Sequence, residues 1–326
     1  VAGAGGRGPG GDWQAAGQGS GVGVQGAGAA VRGGRLADWS RALRVHQWVK
    51  NFLVFVPLLM AHLVFDRDRL AAAACAFAAW CLCASGVYLF NDLLDLEADR
   101  SHPRKRSRPL ASGALAARAA VPAAAVLVAA GLALAFLLLP AAFGAMLLIY
   151  LALTSLYSAH LKRRPVLDVL VLAGLYSLRV LSGGYATSVP VSPWLLAFSM
   201  FLFLSLAFVK RYTELRDEGA GEASLARRGY AREDTELLRS FGAASGYLSV
   251  LVLALYINQS REVTQLYRRP ELLWLAGPCL LYWLTRVWLL AHRGRLHEDP
   301  VVFTVRDPVS YIVGAVMAAL IVAASV

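Results

Sequence analysis

Apolar runs of roughly 18 residues or more recur from about residue 50 to the end of the chain, parted by short polar connections. A run of that length lets a helix cross a hydrocarbon core about 30 Å thick. The strict alternation of barrel strands is absent, and in lipid the only other solution is a helical bundle. The pattern predicts an all-α, polytopic membrane protein with nine spans. They fall at about 50–65, 70–92, 117–138, 140–158, 166–186, 193–212, 242–260, 271–291 and 308–326. The first is short and charged at its start, which predicts an interfacial beginning. The third and fourth are parted only around Pro140. Gly183, Gly184, Pro190 and Pro193 predict a tight uncharged turn between the fifth and sixth. Residues 1–36 are rich in Gly and Ala, without period or apolar core, and read as a disordered tail. They lack the uninterrupted apolar stretch of a signal peptide. Residues 37–326 read as one membrane domain.

Composition agrees: 58% of residues are hydrophobic and 16% charged, too few charges to cover a soluble domain of 326 residues. The net charge of +11 could serve nucleic acid, anionic lipid or an anionic substrate. The charges lie in loops between apolar runs, so membrane lipid and substrate are the expected partners and nucleic acid is not. Lys and Arg crowd the connections after spans two, four, six and eight, among them Arg104, Arg106, Arg163, Arg164, Arg227 and Arg228. That bias predicts that these loops and the N-terminus face the cytoplasm, in a multi-pass protein of the plasma membrane. Cys75, Cys81, Cys83 and Cys279 sit inside apolar runs without zinc-like spacing, and no two histidines are spaced i, i+4. No zinc, haem or iron–sulfur site is expected.

The sharpest chemical signal closes the second span. Asn91-Asp92-x-x-Asp95-x-x-x-Asp99 places three carboxylates at i, i+3 and i+7, on one helical face. At a membrane edge such acids repel each other and resist desolvation, so they call for a cationic partner. Hard oxygen ligands suit Mg²⁺, which keeps several waters and binds through one or two carboxylates plus substrate phosphates. Lys105 and Arg108 follow at once and can hold the remaining phosphate oxygens. The plain alternative is a solvated, acidic loop start. A second cluster, Tyr157, Lys162 and Asp168, crosses the connection after span four. Arg179 lies close to three turns beyond Asp168, about halfway down its span, where an arginine is expensive and points to function; pairing with an interior acid is its bland reading. Lys210, Arg211 and Glu214 end the sixth span, with positive-inside anchoring as the alternative for Arg211. Lys50 and Asn51 stand at the start of the first span, where apolar residues would be cheaper, and are expected to face the site. Arg286, between Trp283 and Trp288, reads as interfacial packing.

These segments together resemble the UbiA superfamily of intramembrane prenyltransferases over essentially the whole chain after the tail. That family's first acidic motif matches Asn91, Asp92, Asp95 and Asp99 position by position. Its aromatic prenyltransferases carry a second motif, Asp-x-x-x-Asp; here Asp168 is followed four residues on by Leu172. Four segments are similar to the decaprenyl-phosphate phosphoribosyltransferase branch. They are His46–Asn51, His102-Pro-x-Lys105-x-x-Arg108-Pro109, Tyr157-x-x-x-x-Lys162-x-x-Pro165-Val-x-Asp168 and Lys210-Arg211-Tyr212-x-Glu214.

The resemblance implies a nine-helix bundle around a central cavity. It implies transfer of the 5-phosphoribosyl group of PRPP to decaprenyl, or another polyprenyl, phosphate with loss of pyrophosphate, an early step toward cell-wall arabinan. Mg²⁺ would be held by Asn91, Asp92, Asp95 and Asp99. Lys162, Asp168 and Arg179 would join these acids in catalysis. Lys50, Asn51, Tyr88, Lys105, Arg108, Tyr157, Lys210, Arg211 and Glu214 would bind substrate. A homo-oligomer is compatible with this reading. The alternative within the fold is an aromatic prenyltransferase using a prenyl diphosphate, against which the missing acid at Leu172 argues. A transporter would instead show repeats and ionisable residues at the midplane.

Overall fold

The computed structural model describes residues 35–101, 105–216, 229–259, 261–296 and 299–325. The proposed tail up to residue 34, and the basic residues Arg104, Arg227 and Arg228, lie outside them. Every regular element among the described residues is helical.

A short helix α1 (Arg35–Ala42) leads into a 3-10 stretch, Val45–Phe55, and a brief α2 (Val56–Met60). The long α3 (Arg67–Leu94) starts where the Asp66 side chain accepts from the amides of Asp68 and Arg69. It ends at the acidic motif, continued by α4 (Leu96–Ser101). Then come α5 (Ala117–Leu138), α6 (Ala141–Ala159), α7 (Leu167–Thr187) and α8 (Pro193–Arg216). The chain finishes with α9 (Thr235–Gln259), α10 (Arg261–Leu266), α11 (Ala276–His292), α12 (Pro300–Thr304) and α13 (Pro308–Ser325).

Among the described residues, eight helical stretches are long and apolar enough to cross a bilayer. The expected ninth, at 50–65, is not a regular helix. Its 3-10 half rises about 2.0 Å per residue, so the stretch through α2 still reaches about 30 Å. Gly183 explains how so irregular a segment packs. A Cβ there would lie 2.0 Å from the Val54 carbonyl oxygen, so the backbone of Val45–Phe55 rests directly on α7. This corrects the predicted turn: Gly183 and Gly184 lie within α7, and the reversal occupies 188–192, opening with Ser188 in the left-handed region. Pro140 separates α5 from α6 as expected.

α3 packs along α5 so closely that a Cβ on Gly86 would meet the Ala124 carbonyl oxygen at 2.9 Å. Small residues allowing close backbone approach are the usual adhesive between helices in lipid. One apolar cluster forms around Trp80, Phe143, Leu147 and Tyr150, and a second around Val209, Tyr212, Leu284 and Val287. Large apolar side chains such as Leu137, Val126 and Ile312 point outward, as a lipid-facing surface requires. Arg286 is more than interfacial packing: its guanidinium grips both oxygens of Asp307 at 2.6 and 2.9 Å.

Candidate functional site

A cavity of about 180 Å³ lies between the two clusters. It is walled by the lead-in segment, α3, α6, α7, α8 and the start of α12. Most of its polar lining consists of tyrosines and cations.

At one end Tyr88 and Asn91 of α3 reach the lining, with the acids just beyond. The helix does not run unbroken through the motif. It stops at Leu94, with Asp95 in the cap position. Amide bonds from Asp95 to Asn91 (3.0 Å) and from Asp99 to Asp95 (2.8 Å) keep the helical course across the break. Asp92 and Asp99 are buried, and both accept from the same Arg108 nitrogen, at 3.1 and 2.6 Å. Asp92 also accepts from Arg44 at 2.6 Å. Arg44 lies 4.8 Å over the Tyr88 ring and sits in the left-handed region. Asp95 is exposed, with Lys162 3.9 Å away. Two carboxylates therefore converge on one point that a cation already fills. Among the described residues no three His, Cys, Asp or Glu converge closely enough to hold a metal alone. That donor set fits Mg²⁺ brought in on a diphosphate, which supplies the remaining ligands.

The other end is basic. Arg179 is buried on α7 and donates to Asn51 at 3.0 Å and to the Leu175 carbonyl at 2.6 Å. Its guanidinium lies 4.7, 5.3 and 5.7 Å from the ring centres of Trp80, Tyr150 and Tyr176. The interior acid of the bland reading is not what holds it: aromatic faces, the Asn51 amide and a backbone carbonyl do. Lys50 and Lys210 both donate to one oxygen of Asp299, at 2.7 and 3.3 Å. The other oxygen accepts from Tyr176 at 3.3 Å and from the Val301 amide at 3.1 Å, capping α12. Burial pushes the Asp299 carboxyl up, but the Lys210 and Lys50 ammoniums outweigh it and hold it well below the usual carboxylate range.

Not every expected site residue reaches the cavity. Asp168 is fully buried against α8, where it pairs with Arg211 and accepts from Tyr230 at 2.6 Å. Arg211 also binds Glu214 and donates to the Tyr157 hydroxyl at 2.8 Å. Asp168, Arg211 and Glu214 thus form a network behind the wall, and only Tyr157 carries it to the cavity. Leu172, one turn after Asp168, lines the cavity itself. Lys105 opens the 3-10 turn Lys105–Ser107, and Lys162 lies in Leu161–Arg163, both outside the lining.

The reading from sequence missed Asp299 and gave Arg44 no role. For Asp299 the only local signal is an Asp-Pro pair, which marks a helix start and says nothing of a cavity.

Residues 52–306 match the model of the UbiA prenyltransferase family. The chain belongs to that family. An uncharacterized protein of Sinorhizobium fredii, y4nM, is 40% identical over 88% of this chain and 56% of its own length. Nodulation protein NoeC of Azorhizobium caulinodans is 36% identical over 82% of this chain and 87% of its own. Decaprenyl-phosphate phosphoribosyltransferase of Corynebacterium glutamicum is 38% identical over 54% of each. The chain therefore spans little more than half the length of y4nM and of that phosphoribosyltransferase. Among solved structures, a UbiA homolog from Archaeoglobus fulgidus, bound to DMAPP and Mg²⁺, superposes with a TM-score of 0.66. It is 18% identical, covering 88% of this chain and 98% of that one, which fixes the shared fold.

Proposed function

We propose that this UbiA-family protein transfers the 5-phosphoribosyl group of PRPP to a polyprenyl phosphate such as decaprenyl phosphate, releasing pyrophosphate. The observation that carries the reading is the polarity of the cavity. Acids stand at one end, and Lys50, Arg179 and Lys210 at the other, with Leu172 in the wall where a second acidic motif would place a carboxylate. Among the described residues, the one carboxylate at that end is Asp299, already engaged by Lys50 and Lys210, so a second Mg²⁺-diphosphate site is poorly supplied while a phosphate monoester has cations. The 38% identity to the C. glutamicum phosphoribosyltransferase supports the same reading. NoeC, matched over 87% of its length, is a nodulation protein, so the proposal stops at the lipid-linked product and assigns it no destination.

In this mechanism Asp92 and Asp99, with Asp95 and Asn91 beside them, would hold Mg²⁺, which would supply positive charge against the leaving pyrophosphate. Arg44 and Arg108, freed from the acids, turn to phosphate oxygens. The C1–O bond of the ribosyl unit breaks, and its electron pair leaves with pyrophosphate. An oxygen of the acceptor phosphate forms the new bond to C1. A phosphate monoester is already anionic near neutral pH, so no general base is needed. The basic end instead fixes that oxygen against the sugar. Tyr88 and Tyr157 flank the path between the two ends. The acceptor's chain comes from the bilayer and PRPP from the cytoplasm.

Purified protein with labelled PRPP, decaprenyl phosphate and Mg²⁺ should place label in an organic-extractable lipid, and EDTA should abolish it. Folded Asp92→Asn should lose at least about 100-fold in rate, on the scale of removing a charge-stabilising group. Transfer from a prenyl diphosphate to an aromatic acceptor, with none from PRPP, would replace this reading by the aromatic branch.

A further inference from the structure

Asp299 belongs to no motif, yet it organises the basic end of the cavity. Lys50 and Lys210 come from elements far apart in the chain, and two ammoniums repel each other at this range. They meet because one oxygen of Asp299 accepts from both. The carboxylate is the fixed partner. Its other oxygen is pinned by the Tyr176 hydroxyl and the Val301 amide. The lysines are the long, rotatable partners. With Arg179 at the same end, three cations face one carboxylate among the described residues of the lining, leaving two positive charges. A phosphate monoester carries about −1.5 to −2 at neutral pH.

We propose that Asp299 is a positioning residue: it holds Lys50 and Lys210 side by side as a two-ammonium site for a phosphate monoester. This deepens the phosphoribosyl reading and rests on it only for the two sources of that group, the lipid acceptor and the 5-phosphate of the sugar donor. Asp299 keeps both lysines aimed at one point. Among the described residues of the lining, the other charged group is Arg179, a cation that cannot replace the carboxylate as their shared acceptor.

The test uses the full chain in detergent, with geranyl phosphate as probe, titrated calorimetrically. Asp299→Asn should weaken binding about 10-fold or more, while Asp299→Glu restores most of it. Equal binding by wild type and Asp299→Asn, or a loss that Glu does not rescue, overturns the proposal. Should Asp299→Asn not fold, Lys210→Gln, at a third-exposed side chain, replaces it. A 10-fold loss of geranyl phosphate affinity at an unchanged thermal midpoint supports the site, and unchanged affinity overturns it. A KM raised only for the polyprenyl phosphate identifies the acceptor as occupant; one raised only for PRPP identifies the sugar 5-phosphate. If wild type transfers nothing from PRPP, the functional reading fails while the geranyl phosphate titration still judges Asp299.

Discussion

At the scale of single residues, the nearness of Asp92 and Asp99 was legible because their relation is local: helical spacing brings both onto Arg108, while Asp95, at the break in the helix, stays exposed. Arg179 was legible because a charge inside an apolar run has few bland explanations. Asp299 was not, because its meaning lies in a lysine 249 residues away. Asp168 was read one step too near the chemistry; spacing gave its helix face but not which neighbour that face meets. Its side chain and that of Arg211 are 0% and 1% exposed. Removing one partner of such a pair leaves a buried charge and costs about 3–5 kcal/mol. Asp168→Ala is therefore expected to lower the thermal midpoint and the yield of folded protein, not merely kcat. Leu172→Asp offers the opposite contrast. It sets a carboxylate in the cavity wall. PRPP-dependent transfer should fall at least about 10-fold, the scale of one misplaced charge; unchanged transfer would remove the argument built on Leu172.

At the scale of elements, hydrophobic runs located the membrane helices well, because bilayer thickness dictates their length. They failed at the first span, where Val45–Phe55 adopts 3-10 geometry and delivers Lys50 and Asn51 inward. The inward course of Lys50 and Asn51 was expected from their cost in an apolar run; the 3-10 geometry was not, and a glycine on another helix lets that backbone pack closely. Gly183→Ala sets a methyl group 2.0 Å from the Val54 carbonyl, and backbone cannot yield as a side chain would. Overpacking of this kind costs about 1–3 kcal/mol or more. The variant should melt earlier and, with Lys50 displaced, show a raised KM for a phosphate-bearing substrate. A normal KM in a destabilised variant would mean that the segment's position does not set the site.

At the scale of the whole molecule, the acidic motif and the ends of α6 and α8 share one side of the bundle, and the 188–192 reversal lies on the other. The Lys and Arg bias predicts that the first side faces the cytoplasm. In a chain whose four native cysteines are replaced by alanine, Pro190→Cys should react with an impermeant maleimide on intact cells. Arg106→Cys should react only after permeabilisation. The reverse pattern would put the sugar-diphosphate mouth on the wrong side for PRPP.

The closed salt links at both ends of the cavity make the empty protein a small ion exchanger. Arg108 bridges Asp92 and Asp99 while Arg44 holds Asp92, and Asp299 gathers two lysines. A divalent ion arriving alone must evict guanidiniums that then have nowhere to go. A diphosphate arriving alone leaves the acids bare once it draws those guanidiniums away. On the proposed reading, exchanging a metal–diphosphate salt for the internal one keeps acids and guanidiniums matched, so metal and donor diphosphate would enter as a unit and the metal would leave with pyrophosphate.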